Sequence, residues 1–248
     1  MPNIVGWGDH IARGIFSQLI EIAKYDEQKR ALLVRQANMG VERFRRYTNL
    51  AAAIHMLRTK SITLLNPATC DDTNDAYYMA EYKRLKRANT VLALCFTESE
   101  EKYHHWRVFS HGSDGVCIEF DKPQLLSTWV GNPMIKMDLV SYELIKDMRT
   151  RVAIDVERLP FLKRHPYKDE REFRVIYVGM NDTLETKSYP IALECIKRIT
   201  LSPWMSRSLS GPVKDTLKSI PDCSPIRIYQ STLVDNEAWK AFTARAEL

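Results

Sequence analysis

The chain has 248 residues, 45% hydrophobic and 27% charged, with a formal net charge of +5, the balance of a globular protein able to bury a large core. Its longest apolar run, Val91 to Phe96, is far short of the ~20 residues a membrane span needs, and Asp9, His10 and Arg13 interrupt the N-terminus where a secretory signal would lie. Five widely spaced cysteines (Cys70, Cys95, Cys117, Cys195, Cys223) without a Cys-x-x-Cys argue for reduced thiols in a cytoplasmic protein, against a disulfide frame or zinc site.

Residues 9–39 read as one long helix or two shorter ones, with Ile11, Ile15, Leu19 and Ile22 on one stripe and Gly40 as the stop. Residues 1–42 are therefore expected to be an N-terminal helical segment that packs on the body or docks a partner. The body, 43–248, begins where the pattern changes. Phe44 to Thr48 reads as a strand, Asn49 as an N-cap and Leu50 to Leu57 as a helix. Ser61 to Leu65 is a second strand, closed by Asn66-Pro67. The polar run 70–76, capping from Asp72 or Thr73, opens a charged helix at Tyr77 to Arg87.

Thr90 to Thr97 reads as a strand buried on both faces, because six consecutive apolar residues leave no wet side. Glu100 to Ser110 reads as helix, His111 to Gly115 as a turn and Gly115 to Phe120 as a strand, with Asp121-Lys122-Pro123 starting a short helix. Ile135 to Tyr142 alternates like a strand, and Glu143 to Arg158 reads as a charged helix. Strands at Glu170–Val178, Lys187–Ile191, Ile196–Leu201 and Ile226–Gln230, with a helix near Val213–Ser219, complete the body. Strands dominate and no regular βαβ beat is present, so the fold class is α+β with a largely antiparallel sheet.

The most telling stretch is Glu170-Arg171-Glu172-Phe173-Arg174. If extended from Glu170, it sets Glu170, Glu172 and Arg174 on one face. Two carboxylates and a guanidinium aimed at one spot suit a reaction that builds positive charge on its substrate. A neutral Glu172→Gln isostere is expected to remove charge with little change in volume. Arg46 and Thr48 share a face of the first strand, where an arginine can grip a pyrophosphate bidentately. Between Arg43 and Asn66 stand Arg43, Arg45, Arg46, Arg58 and Lys60 with no acid, a block that favours anionic ligands. Trp106 and Phe109 are core by spacing, with ligand stacking the alternative for Trp106. The acidic run Asp71, Asp72, Asp75 could cap a helix or hold magnesium, but lacks calcium-loop spacing. No P-loop, Gly-x-Gly-x-x-Gly or Gly-x-Ser-x-Gly motif occurs.

In order, Arg46-Tyr47-Thr48, Leu65-Asn66-Pro67 with Asn74-Asp75, Cys95-Phe96-Thr97, Trp106 to Phe109 with Gly115 to Phe120, and Glu170 to Arg174 resemble a bacterial family known mainly as a domain of unknown function. More distantly, the set resembles the ADP-ribosyltransferase superfamily. That resemblance implies a split sheet, NAD as substrate, Glu172 as the catalytic glutamate and Glu170 as the acceptor-side glutamate. It implies Arg46 as the residue that holds the NAD ribose and phosphates, and with the strand-face reading the expected NAD-binding set is Arg46, Thr48, Asn74, Trp106 and Arg174, with no metal. For the middle motif of that superfamily, Ser61, Thr63 and Asn74 are the candidates.

The expected function is an NAD-dependent toxin or anti-phage effector that modifies nucleic acid, RNA favoured, received by Arg43, Arg45, Arg58 and Lys60. An antitoxin or chaperone would dock on the N-terminal helix. The rival readings are a magnesium nuclease built on Asp71, Asp72, Asp75 and the two glutamates, and a non-enzymatic docking protein.

Overall fold

Caps and apolar runs set the element boundaries. Strand β1 (Arg43–Asn49) ends at Asn49, whose side chain accepts from the Ala52 amide at 2.8 Å and starts helix α1 (Leu50–Thr59). Lys60 closes that helix in the left-handed conformation (φ 47°) and releases the chain into β2 (Ser61–Leu65). Asp72 caps α2 (Thr73–Lys86) through the amides of Asn74 and Asp75. Then follow β3 (Thr90–Thr97), α3 (Tyr103–Phe109), β4 (Gly115–Asp121) and α4 (Lys122–Leu126), the last capped by Asp121. The computed structural model describes residues 42–69, 72–110 and 112–246, so the expected helices within 9–39, the docking surface on them, Cys70, Asp71 and His111 lie outside the described residues.

Strands β5 (Ile135–Leu139) and β6 (Ser141–Glu143) occupy the expected extended stretch. The long charged helix expected over Glu143–Arg158 does not form. Only Ile145–Met148 is helical (α5), and a 3-10 turn follows at Val156–Phe161. Between them the β-branched Thr150, Val152 and Ile154 disfavour continued helix, and Asp155 accepts from the Glu157 amide to begin a new turn. The chain finishes with β7 (Leu162–Arg164), a 3-10 turn at His165–Glu170, β8 (Glu172–Gly179), β9 (Thr186–Pro190), β10 (Ile196–Leu201), α6 (Arg207–Lys218), β11 (Arg227–Gln230) and α7 (Glu237–Ala241).

Among the described residues one sheet has the order β11-β10-β4-β1-β3-β2-β9, with β8 pairing both β3 and β5. Its pairs are antiparallel except β10–β11, and a separate parallel pair joins β6 to β7. The long ladders are β1–β4 and β3–β8. In contrast, β1 meets β3 only at Arg45↔Thr97, and β2 meets β3 only at Leu65↔Ala93. The sheet is therefore split into three well-paired groups, β11-β10-β4-β1, β3-β8-β5 and β2-β9, joined at single points. The fold is mixed α/β with a largely antiparallel sheet, as the sequence pattern predicts.

One face of the sheet carries the main core, where the rings of Phe44, Phe96 and Phe173 meet and Leu57, Leu94, Ile118 and Val175 are buried. Each such side chain contributes roughly 1.5–3 kcal/mol by burial. The opposite face has two smaller apolar clusters. Met79 and Tyr82 of α2 pack on Ile176 and Val178, while Trp106 of α3 packs on Tyr47 and Cys117. Charged side chains occupy the same face in the strand positions between those clusters.

Candidate active site

A single row of facing residues crosses five strands. Arg198 stands opposite Glu119, Glu119 opposite Arg45, Arg45 opposite Thr97, and Thr97 opposite Glu172. Directly opposed residues in antiparallel strands share a face, so Arg45 and Glu172 lie on the same side of the sheet. Arg46, one residue on, alternates to the other side, opposite Ile118 of the main core. Its guanidinium donates to the Cys95 carbonyl at 3.0 Å, where β1 and β3 separate. The expectation that Arg46 and Thr48 face the same ligand as Glu172 is thus corrected. A one-residue shift in which arginine is chosen reverses the face.

Glu172 and Arg174 do share a face, two residues apart on β8. Arg174 is fully buried and donates Nε to Glu172 Oε1 at 2.5 Å and Nη2 to Glu172 Oε2 at 2.9 Å. Its other edge forms a second fork to Asp75, at 2.7 Å to each oxygen, and reaches the Pro160 carbonyl at 2.9 Å. Such bidentate pairs are the strongest hydrogen bonds a guanidinium makes. These bonds engage the whole guanidinium of a fully buried side chain, so Arg174 positions two carboxylates.

Glu170 reaches the site by another route. Arg171 adopts the left-handed conformation (φ 43°), so β8 begins only at Glu172 and Glu170 closes the preceding 3-10 turn. Thr97 Oγ1 holds that turn by donating to the Glu170 carbonyl at 2.5 Å. What joins the two glutamates is Lys163 on β7. Its Nζ lies 2.6 Å from Glu170 Oε2 and 3.3 Å from Glu172 Oε2, and 4.8 Å from the Tyr167 ring centroid. The Glu172 amide donates to Tyr142 Oη at 2.8 Å.

The electrostatics separate the carboxylates. Burial alone would raise the Glu172 pKa, but Arg174, Lys163 and a hydrogen bond from the Cys95 thiol bring it down to about 2. Burial pushes Glu170 above the ordinary carboxylate value, against the pull of Lys163. Asp75 is raised as well, by burial only partly offset by Arg174. Cys95 is pushed well up by burial and by the Glu172 charge, so it remains a thiol. The pattern is one fixed anion flanked by two carboxylates that take up protons more readily, the kind of separation that divides acid–base roles in a site.

Asp75 and Lys163 form part of the wall of a cavity of about 400 Å³, lined also by Asn74, Tyr78, Met148, Leu162, Arg149 and Arg164. That is within the range of small-molecule sites. Asn74 is therefore at the cavity, whereas Ser61 and Thr63 bond within the Thr59–Ser61 turn and to Ser188 of β9.

Two other expectations change. Trp106 is fully buried, its Nε1 donating to Glu101 at 2.7 Å and its ring edge-on to Tyr47, so it is core and offers no stacking face. The basic block Arg43 to Lys60 does not form one open face. Arg45 is buried, paired with Glu119 at 2.9 Å and Glu100 at 2.7 Å. Arg43 also pairs with Glu119, at 2.8 Å, and Lys60 pairs with Asp222, both from exposed positions, and Arg58 is exposed in the last turn of α1. Lys163, Arg149 and Arg164 were not singled out by sequence. Nothing local marks them, since only the fold brings β7 and α5 beside α2.

No protein-family model matches this chain, and no curated protein matches it. Among solved structures it is similar to DarT from Thermus sp. 2.9 in complex with NAD+, at 12% identity over 77% of this chain and 96% of that one, with a TM-score of 0.40. DarT of the same source in complex with ADP-ribosylated ssDNA gives 12% identity, 77% and 94% coverage and a TM-score of 0.41. A third DarT structure holds carba-NAD+, with a TM-score of 0.40.

Among the described residues no group of His, Cys, Asp and Glu side chains is placed to hold a metal ion. Asp72 is committed to capping α2 and Asp75 to Arg174. No helix of the described residues is long and apolar enough to cross a membrane, and Cys95, Cys117, Cys195 and Cys223 are unpaired.

Proposed function

We propose that the chain is an ADP-ribosyltransferase that uses NAD as its substrate and a nucleic acid as its acceptor, acting as a toxin or defence effector. The observation that carries this reading is the pair Glu170 and Glu172 sharing the ammonium of Lys163, a residue that itself lines the cavity. The N-glycosidic bond between nicotinamide and ribose breaks, and its electron pair leaves with nicotinamide. The ribose becomes oxocarbenium-like, and the acceptor nucleophile then bonds to its anomeric carbon. Glu172, ionised and held in place, supplies negative charge where positive charge develops. Glu170, with its raised pKa, takes the acceptor's proton as general base. Lys163 occupies the cationic position between them in the free chain, and its 3.3 Å contact is the one that must loosen for Glu172 Oε2 to face substrate.

The residues fit a ligand that carries both signs of charge, since half-buried carboxylates and exposed arginines line one cavity. RNA is the first acceptor to test and ssDNA the second. The purified chain is incubated with NAD labelled in its adenylate half and with RNA, ssDNA or lysate protein. Label on nucleic acid supports the reading. Absence of both label and released nicotinamide overturns it.

A further inference from the structure

The cavity beside Asp75 and Lys163 has an uneven charge balance. Its carboxylates are engaged within the protein: Asp75 by the Arg174 fork, Asp72 by the amides of α2, and Glu143 by Arg151 at 2.7 Å. Lys163 is likewise engaged, by Glu170 and Glu172. Arg149 and Arg164 line the same cavity and are exposed, and their guanidinium groups make no ion pair or hydrogen bond among the described residues. They come from different elements, Arg149 closing α5 and Arg164 ending β7.

We infer that Arg149 and Arg164 form an anion subsite for a pyrophosphate-bearing ligand. Guanidinium groups suit this role because they bind phosphate oxygens in a planar, bidentate fork and stay charged at any physiological pH. The Asp72 caps occupy first-turn amides of α2, so the helix terminus is not what binds the anion. This subsite deepens the NAD reading, placing the dinucleotide's phosphates at the exposed side of the cavity. It also assigns that task to residues other than Arg46.

The test uses the full chain and inorganic pyrophosphate, followed by calorimetry, with ADP-ribose in a second titration. Arg149→Ala and Arg164→Ala should each weaken pyrophosphate binding about tenfold, the scale of one charge-assisted hydrogen bond, and together abolish it. Both side chains are exposed, so thermal unfolding should not change, and Arg58→Ala serves as a surface-charge control that leaves binding as in the parent. Equal binding by the parent and the double variant, or equal losses with Arg58→Ala, overturns the subsite. Pyrophosphate binding that depends on both arginines in a chain that never consumes NAD keeps the subsite and rejects only the transferase reading.

Discussion

Arg174 grips Glu172 from two positions along the same strand, Nε to Oε1 at 2.5 Å and Nη2 to Oε2 at 2.9 Å, with both side chains buried. The same guanidinium holds Asp75, ninety-nine residues away, so strand β8 and helix α2 are tied through one buried cation. Glu172 is therefore both a candidate catalytic group and part of the fold's charge framework.

Glu172→Gln is for that reason not a silent isostere. Removing one partner of a buried ion pair leaves Arg174 with uncompensated charge, and a loss of about 3–5 kcal/mol is expected. Urea unfolding at neutral pH measures it. A variant as stable as the parent would show that the pair contributes nothing to folding.

The acid limb of stability carries a second signature. The folded Glu172 pKa of about 2 lies below its ordinary 4.5, so its contribution is full above pH 4.5 and is lost as pH falls toward 2. Asp75 and Glu170, raised by burial, act in the opposite sense and lose stability as pH rises through their folded values. The stability gap between the parent and Glu172→Gln should narrow steadily between about pH 5 and pH 2. A gap independent of pH over that range would contradict the ionised assignment.

Arg45→Ala should destabilise far more than Arg43→Ala. Both arginines reach Glu119, but Arg45 is buried whereas the Arg43 side chain is 57% exposed and its pair is correspondingly screened. Thermal melts of the two variants compare them directly, and equal shifts would remove the distinction drawn from burial.

Trp106→Ala should cost about 3–5 kcal/mol as a core truncation. Trp106→Phe should leave NAD affinity unchanged by calorimetry, because the indole faces Tyr47 and Glu101 and not the cavity. A selective loss of NAD affinity in the Phe variant would restore a ligand-facing role.

Much of the sheet was legible in the sequence. The strands Ser61–Leu65, Thr90–Thr97 and Ile196–Leu201 coincide with their expected bounds, and Asn49 caps as its residue type predicts. These features are local. The site was legible only in part, because the pairing of Glu170 with Glu172 depends on Lys163 and on a left-handed Arg171, and not on strand alternation. The choice between Arg45 and Arg46 depends on register with β3 and β4, which period-2 patterning alone does not supply. Asp75 meets Arg174 only through tertiary packing.

The central claim is that the two glutamates divide one reaction between them. Its most direct measurement follows nicotinamide release and nucleic-acid labelling from NAD in the same tube, for the parent chain and for Glu170→Gln. The parent is expected to release nicotinamide and label the acceptor together. Glu170→Gln should keep nicotinamide release, with water as the acceptor, and lose most of the label. Equal losses of both in Glu170→Gln would contradict the division of roles, and a parent chain that neither releases nicotinamide nor transfers label would contradict the account as a whole.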